Sequence, residues 1–518
     1  MESGDPSPAG PTYSTFAPPL INNSGRVAFT AFINAGFDNS SVLVTQTSTG
    51  FQLQARSDSP APGTEATTVY TGSAQRLSYD DDGRVAFSST VEGPSDAGSE
   101  FGVWSSNPGP PPGTVTLFAR ENKTAIGVPS ATYTLENSSL VLHQTKGGFV
   151  MLGDTTGGSA IWRTATATAN ALGNPPIARE GAATPGISGG VYATLDKVAA
   201  NVNARVAFTA GTTGTGIDDS NDRAIFTDGA GGAMTLAARE NALAGVGPGV
   251  FYDFFYDPAI NNLGKLAFAA DIRGTGVIGS EDPGVTNNQG IWRTADASTS
   301  LVLVARAGAA APGTGTDVLF DRGFERVRIG LNQKVSFVAS LSHESGAVTA
   351  ANDTGVWGSL SGTLNLVARE GSQAPGLAPG VVFGTFKPQA GVEALVTANN
   401  EGQVAFKLSL TGTNVNPDND TTLWAQRPDG VLALIAREGD MWQVGVGDLR
   451  EVVNIGFDPG DPGNQFSDGW NDLSQIAFTL EFFDNSSGIF VVQVPEPGAA
   501  SLLFVGATLL GLRPRRRS

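Results

Sequence analysis

The chain has 518 residues, with 31 Lys and Arg against 49 Asp and Glu, a net charge of −18, no cysteine and two histidines. That balance excludes disulfides, thiol catalysis and cysteine zinc sites. It also argues against nucleic acid and anionic lipid as partners of the body, which without the last 25 residues carries 27 basic and 48 acidic groups, a net −21. Gly and Pro together make almost a fifth of the chain and hydrophobic residues 40%. Many short strands joined by tight turns fit that composition better than helices do.

The first strand signal is "INNSGRVAFTAFI" from Ile21, and the same sentence, Asn-x-x-Gly-x-Val-Ala-Phe, returns along the chain. It reads "INNLGKLAFAADI" from Ile260 and "NNEGQVAFKLSL" from Asn399. Looser copies start at Asp80, Asn201, Asn332 and Asn471, and the weakest, "QTKGGFVMLGD", at Gln144. The closing position is Phe29, Phe87, Met151, Phe208, Phe268, Phe337, Phe406 and Phe478, at spacings of 57 to 72 residues. Asn and Gly suit a turn because both accept left-handed backbone angles, and Val-Ala-Phe then enters a strand.

A second landmark follows each copy. It is an aliphatic-aromatic pair: Val103-Trp104, Ile161-Trp162, Ile225-Phe226, Ile291-Trp292, Val356-Trp357, Leu423-Trp424 and Ile489-Phe490, with "SVLV" (Ser41 to Val44) in the first unit. A third reads "LQARSD" from Leu53, "LFAREN" from Leu117, "PIAREG" from Pro176, "LAAREN" from Leu236, "LVARAG" from Leu303, "LVAREG" from Leu366 and "LIAREG" from Leu434. A Pro/Gly-rich turn comes next, then a β-branched and aromatic run such as "GVFYDFF" at Gly249. Each unit is therefore about four short strands, and the fold class is all-β: a β-propeller of about eight four-stranded blades over residues 1–493. Seven blades would follow if the weak third copy were padding. Residues 1–10, "MESGDPSPAG", resemble the end of a third landmark, so the chain begins inside a unit. The expected closure pairs strands from both termini in one blade. The missing strand and a signal peptide are expected upstream of Met1, from a truncated start.

The recurring Arg-Glu (Arg120-Glu121, Arg179-Glu180, Arg239-Glu240, Arg369-Glu370, Arg437-Glu438) is expected to be architectural, with arginine bridging carbonyls or acids of an adjacent blade. A ring of these pairs around a ligand channel is the functional alternative. Acidic turns at Gly216, Asn416 and Asp458 could hold Ca²⁺ but lack the spacing of a calcium loop, and solvated turns account for them. His143 and His343 stand in no catalytic motif. The Ser-x-Asp-x-Gly-x-Thr-Trp box of sialidase-type propellers is not apparent. No pair among the 49 acids singles itself out for glycoside hydrolysis. No catalytic residue and no cofactor is assigned.

The last segment, 494–518, is Val494-Pro495-Glu496-Pro497, an apolar run from Gly498 to Leu512 read as a short hydrophobic helix, and then Arg513, Arg515, Arg516 and Arg517. This closely resembles the PEP-CTERM sorting signal of Gram-negative bacteria. The body is similar to the tandem Asn-x-x-Gly-x-x-Ala-Phe repeat proteins that carry interchangeable C-terminal anchors. The resemblance implies an exosortase-type processing enzyme as partner and contact with the cell membrane through residues 498–512. It further implies a location in the cell envelope or outside the cell, and an association with extracellular polysaccharide. The expectation is an exported binding or structural propeller; the alternative is a propeller glycoside hydrolase.

Overall fold

A computed structural model describes residues 1–494, apart from 35–38, 95–97, 107–114, 136–139, 146–147, 165–171, 230, 280–284, 297, 345–346, 388–393 and 461–467. The chain is an eight-bladed β-propeller: eight sheets whose strands follow one another in chain order, each antiparallel to the next. Blade 4 shows the plan, with Gly190–Ala200, Val206–Gly214, Arg223–Thr227 and Thr235–Arg239 side by side. From blade 1 to blade 7 the first strands of consecutive blades meet, so these strands line the axis and the fourth strands form the rim. The only helical element among the described residues is one 3₁₀ turn, Leu331–Gln333.

The first two landmarks meet in every blade. Phe29 pairs with Val44, Phe87 with Trp104, Met151 with Trp162 and Phe208 with Phe226. Phe268 pairs with Trp292, Phe337 with Trp357, Phe406 with Trp424 and Phe478 with Phe490. The weak third copy is thus a full blade. In blades 2, 4, 5, 6 and 8, where both partners are aromatic, the rings stack, as for Phe268 and Trp292 at 6.4 Å and 17°. A third ring from the run before each blade stands edge-on to the pair: Tyr252 lies 5.1 Å from Trp292, and Phe320 4.9 Å from Trp357.

Strand alternation explains why the repeat reads Val-Ala-Phe and Ile-Trp. Successive side chains face opposite sides of a blade. Phe268 and Trp292 of blade 5 pack toward blade 4, against Ala199, Ala207 and Ile225. Ala267 and Ile291 of the same strands pack toward blade 6, against Phe320, Phe337 and Trp357. Each junction thus sets a face of small and aliphatic residues against an aromatic one, which fills the space between twisted sheets. The seam between the last and first blades obeys the same rule, with Ala477 and Ile489 against Tyr13, Phe29 and Val44.

The asparagine of the repeat does more than turn the chain. Asn261 is fully buried; its Oδ1 accepts from the N–H of Leu263 and Lys265 at 3.0 and 2.9 Å. Its Nδ2 donates 2.8 Å to the carbonyl of Gly330, in the same place on the next blade. The link is repeated from Asn22 to Asp80, Asn201 to Asn261, Asn399 to Asn471, and across the seam from Asn471 to Asn22. An amide is required because it accepts and donates at once. Asp80 has lost the donor, and Arg84 replaces it: Nε bonds Asp80 at 2.6 Å while Nη2 reaches Thr145 O of blade 3 at 2.9 Å. In blade 6 Gly330 holds the place, not Asn332, and its junction is made by the Leu331 N–H to Asn400 O at 2.6 Å. The fourth motif position keeps left-handed φ even without glycine, at Ala204 (55°), Gln333 (51°) and Ser474 (57°).

Closure joins the two ends of the described chain. Blade 8 has Asp448–Gly456, Gln475–Phe482 and Ser487–Gln493, and Met1 to Ser3 supplies its rim strand. Ser3 N–H bonds Ser487 O at 2.7 Å, and Ile489 N–H bonds Met1 O at 2.9 Å. Ser3 Oγ accepts the Ser487 N–H, as Ser57 Oγ accepts that of Ser41 in blade 1. The resemblance of the first residues to a third landmark therefore reflects their position.

Candidate functional site

The Arg-Glu corners sit on the rim strands, away from the axis, so they form no ring around a channel. Arg120 pairs with Glu65, in the turn that leads out of blade 1, and with Glu100 of its own blade, while three of the other arginines bond within their blade. Nε of Arg239, Arg369 and Arg437 donates at 2.8–2.9 Å to the carbonyl of Asn221, Asn352 and Asn419 in the same blade. The glutamate accepts the first N–H of the third strand, as Glu240 does from Arg223 at 2.9 Å. These contacts expose a fourth landmark that the sequence reading missed: Asn221-Asp222, Asn352-Asp353 and Asn419-Asp420, with Asn287-Asn288 in blade 5. Its signal was an Asn-Asp just ahead of the aliphatic-aromatic pair in these three blades. Burial, together with a hydrogen bond to the Asp222 carboxyl, pushes the Glu240 carboxyl up to about 7. Glu370, beside Asp353, is raised for the same reason.

The axis holds a cavity of about 780 Å³, bounded by the inner strands of blades 1, 2, 5, 6 and 8. It exists because those strands do not run straight. The register slips between Gln75 and Ser78, between Tyr252 and Phe254, and between Glu325 and Arg328. Each bulge turns side chains out of the blade interface and toward the axis. Gln75 and Arg76 of blade 2 thereby line the cavity from one side, and Glu325 and Arg326 of blade 6 from the opposite side. Both arginines have left-handed φ, 48° and 50°. A β-carbon makes that conformation costly, and such strain collects where function needs a side chain aimed.

Blade 5 contributes Tyr256 and Asp257, and blade 8 Asp458 and Pro459. Tyr256 Oη donates 3.3 Å to Asp271, which also accepts from Gln289 Nε2 at 2.9 Å and pairs with Arg322 at 3.0 Å. Burial raises the Asp271 carboxyl above its usual range, with Arg322 opposing. Behind the wall, Asp468 is 1% exposed and accepts from Thr397 Oγ1 at 2.7 Å and from the Trp470 N–H at 2.9 Å. Burial pushes it up to about 7 against the pull of Arg328, which itself donates 2.9 Å to Pro459 O. The cavity wall thus joins acids, guanidinium groups and one phenol, and it can offer donors and acceptors in close alternation.

The histidines lie elsewhere. His143 is buried between blades 3 and 4, Nε2 at 2.8 Å from Val198 O, and His343 is an exposed rim residue paired with Asp353 at 2.8 Å. The acidic turns satisfy themselves: Asp218 accepts from Ser220, and Asn416 accepts from the Asp418 N–H. Among the described residues no three His, Cys, Asp or Glu side chains converge to hold a metal ion. Val494 is buried at the end of the last strand, its N–H on Ser474 O at 2.9 Å. Pro495, Glu496, Pro497, the 498–512 run and Arg513, Arg515, Arg516 and Arg517 lie outside the described residues. Among the described residues no helix is long and apolar enough to cross a membrane.

Fold and site together define an eight-bladed propeller with a polar axial cavity. The chain belongs to a family of unknown function, DUF7453, whose profile matches residues 1–345 and again 278–501. A search of curated proteins finds no match. Among solved structures it is similar to an oligogalacturonate lyase in complex with manganese, at 11% identity, covering 83% of this chain and 99% of that one with a TM-score of 0.34. It is similar to the polysaccharide lyase Uly1 at 9% identity, covering 85% and 95%, TM-score 0.36. It is also similar to an α-L-arabinanase of Penicillium chrysogenum complexed with arabinobiose, at 11% identity, covering 72% and 98%, TM-score 0.27. At these scores the likeness carries no information on substrate.

Proposed function

We propose that this protein is an exported, envelope-associated binding propeller that holds extracellular polysaccharide in its axial cavity. The observation that supports the reading is the cavity itself: about 780 Å³, walled by Gln75, Arg76, Tyr256, Asp257, Glu325 and Arg326. Its volume lies in the range of ligand sites, and its polar groups converge from several blades. The PEP-CTERM-like segment from Val494 would deliver the propeller through an exosortase-type enzyme and hold it at the membrane. Val494 leaves the propeller at the Asn-x-x-Gly face, which would then turn toward the membrane.

Titration of the purified protein with polysaccharide from its own bacterium tests the binding half. Arg326→Ala and Gln75→Ala should weaken binding, and unchanged affinity in both would refute the site. Fractionation and intact mass of the native protein test delivery; a cytoplasmic species with the arginine-rich end intact would refute it. A second reading, glycoside hydrolysis, is favoured by one observation. Asp271 is held above its usual range and bonds Tyr256, which lines the cavity together with Asp257, Glu325 and Asp458. Release of reducing ends by the native protein, lost in Asp271→Asn, would establish it.

A further inference from the structure

We infer that the blade 5 side of the cavity, which Tyr256 lines, is a subsite for an uncharged linear polysaccharide, with Tyr256 and the adjoining Phe254 as its stacking platform. This rests on the reading that the axial cavity holds a glycan, and it names the kind of glycan and the residues that select it.

The first argument is exposure. The rings at the blade junctions are buried, including Tyr252 and Phe255 of the same strand. Phe254 and Tyr256 are each 37% exposed and touch edge to face, ring centres 5.2 Å apart at 77°. They face outward because the bulge after Tyr252 shifts the alternation by one residue: Phe255 takes the buried place and its two neighbours turn to solvent. Packing therefore does not account for them, since the junction already has its edge-on ring in Tyr252.

The second argument is that both rings are held. The guanidinium of Arg223 lies 5.4 Å over the centre of the Phe254 ring and pairs with Asp196 at 2.6 Å. Tyr256 is tied to Asp271 and through it to Arg322. A platform fixed before the ligand arrives loses little freedom on binding.

Charge selects among glycans. Each arginine beside the platform already has a carboxylate: Arg223 has Asp196, Arg322 has Asp271, and Arg273 has Asp253 at 2.9 Å. Asp257 adds a further acid at the cavity wall, on a chain of net charge −18. A polyuronate would meet no surplus positive charge there and would be repelled. An uncharged sugar chain meets what it needs: ring faces for its C–H surface, and paired acids and guanidinium groups that accept from and donate to vicinal hydroxyls.

The test uses the full protein. Neutral hexasaccharides of β-1,4-glucose, β-1,3-glucose and β-1,4-xylose, and polygalacturonate as the charged probe, are titrated by calorimetry, with saturation-transfer NMR to locate contact protons on the sugar. At least one neutral hexasaccharide should bind, with transfer strongest at its axial C–H protons. Tyr256→Ala and Phe254→Ala should each weaken it about tenfold or more, the scale of one lost ring contact. Tyr256→Phe, which keeps the ring, should stay within about threefold. Phe254→Leu guards against a folding defect, since it keeps the apolar contact with Arg223 and should still lose affinity. Binding of polygalacturonate but of no neutral probe would overturn this inference and leave the polysaccharide reading standing. Neutral binding indifferent to both alanine variants would overturn the platform. No binding of any glycan, including the native polysaccharide, would overturn both.

Discussion

Asn261→Ala should cost this propeller far more than a residue of a tight turn ordinarily does. The substitution removes three hydrogen bonds: two to the turn, from Leu263 and Lys265, and one that crosses to Gly330 of the next blade. At about 1 kcal/mol each, with the buried Gly330 carbonyl left unpaired, the expected loss is about 3 kcal/mol. Asn261→Asp sharpens the reasoning. It keeps both acceptors, loses the donor, and places a charge at a site with 0% exposure. Its cost should exceed that of alanine at pH 8 and shrink at pH 5, where a protonated carboxyl can donate again. Blade 2 carries this aspartate naturally, at Asp80, with arginine four residues on. At 261 the fourth residue is Lys265, whose Nζ is occupied at Ala295 O and Ser298 O. Lys265→Arg should therefore recover part of what Asn261→Asp loses. Urea unfolding followed by tryptophan fluorescence measures the three variants, Asn261→Ala, Asn261→Asp and the double variant. A loss below about 0.5 kcal/mol for alanine, or no recovery by arginine, would refute the account of the inter-blade ring.

Other predictions follow from the same geometry. Tyr70→Phe and Tyr192→Phe should be neutral or slightly stabilising in the same assay, because both hydroxyls are buried without a partner and Phe320 already fills that place in blade 6. Trp292→Ala should lose about 3–5 kcal/mol and Trp292→Phe much less, since blade 4 is built on Phe226 at the matching position. Stability should fall as pH rises from about 5 to 8. Glu240 and Asp468, both raised to about 7, bind more protons folded than unfolded in that window, so unfolding becomes easier as they ionise. Each group contributes at most about 1.4 kcal/mol per pH unit, and Glu240→Gln should flatten the slope of urea midpoint against pH. A midpoint that climbs toward pH 8 would contradict this.

The rim half of each blade was legible in the sequence; the axial half was not. Phe268, Trp292 and their counterparts repeat because every junction asks for the same small-against-large contact, so one physical demand wrote one pattern eight times. The asparagine was legible for an incomplete reason. Its turn could be read from local conformation, but the hydrogen bond its side-chain amide donates to the next blade joins residues about 60 apart and leaves no local trace. Gly330 shows the limit of the pattern, since the motif there could be aligned two residues late, on Asn332, without offending any local rule. The inner strands carry no shared sentence because bulges, not alternation, decide which of their side chains reach the axis. In "GVFYDFF", simple alternation from Val250 and Tyr252 would bury Phe254, whereas the bulge buries Phe255.

The seam of blade 8 also has a mechanical meaning. The strand Ser487–Gln493 lies between Gln475–Phe482 on one side and Met1 to Ser3 on the other, and Val494 emerges from its far end. Tension applied through any residue beyond Val494 acts along that strand, parallel to its neighbours. The seven residue pairs from Gln475–Gln493 to Glu481–Ser487 are then loaded in shear and must yield together, where a peeling force would open them one after another. A pull at that end also draws on the rim strand Met1 to Ser3, so the load falls on the blade that closes the ring.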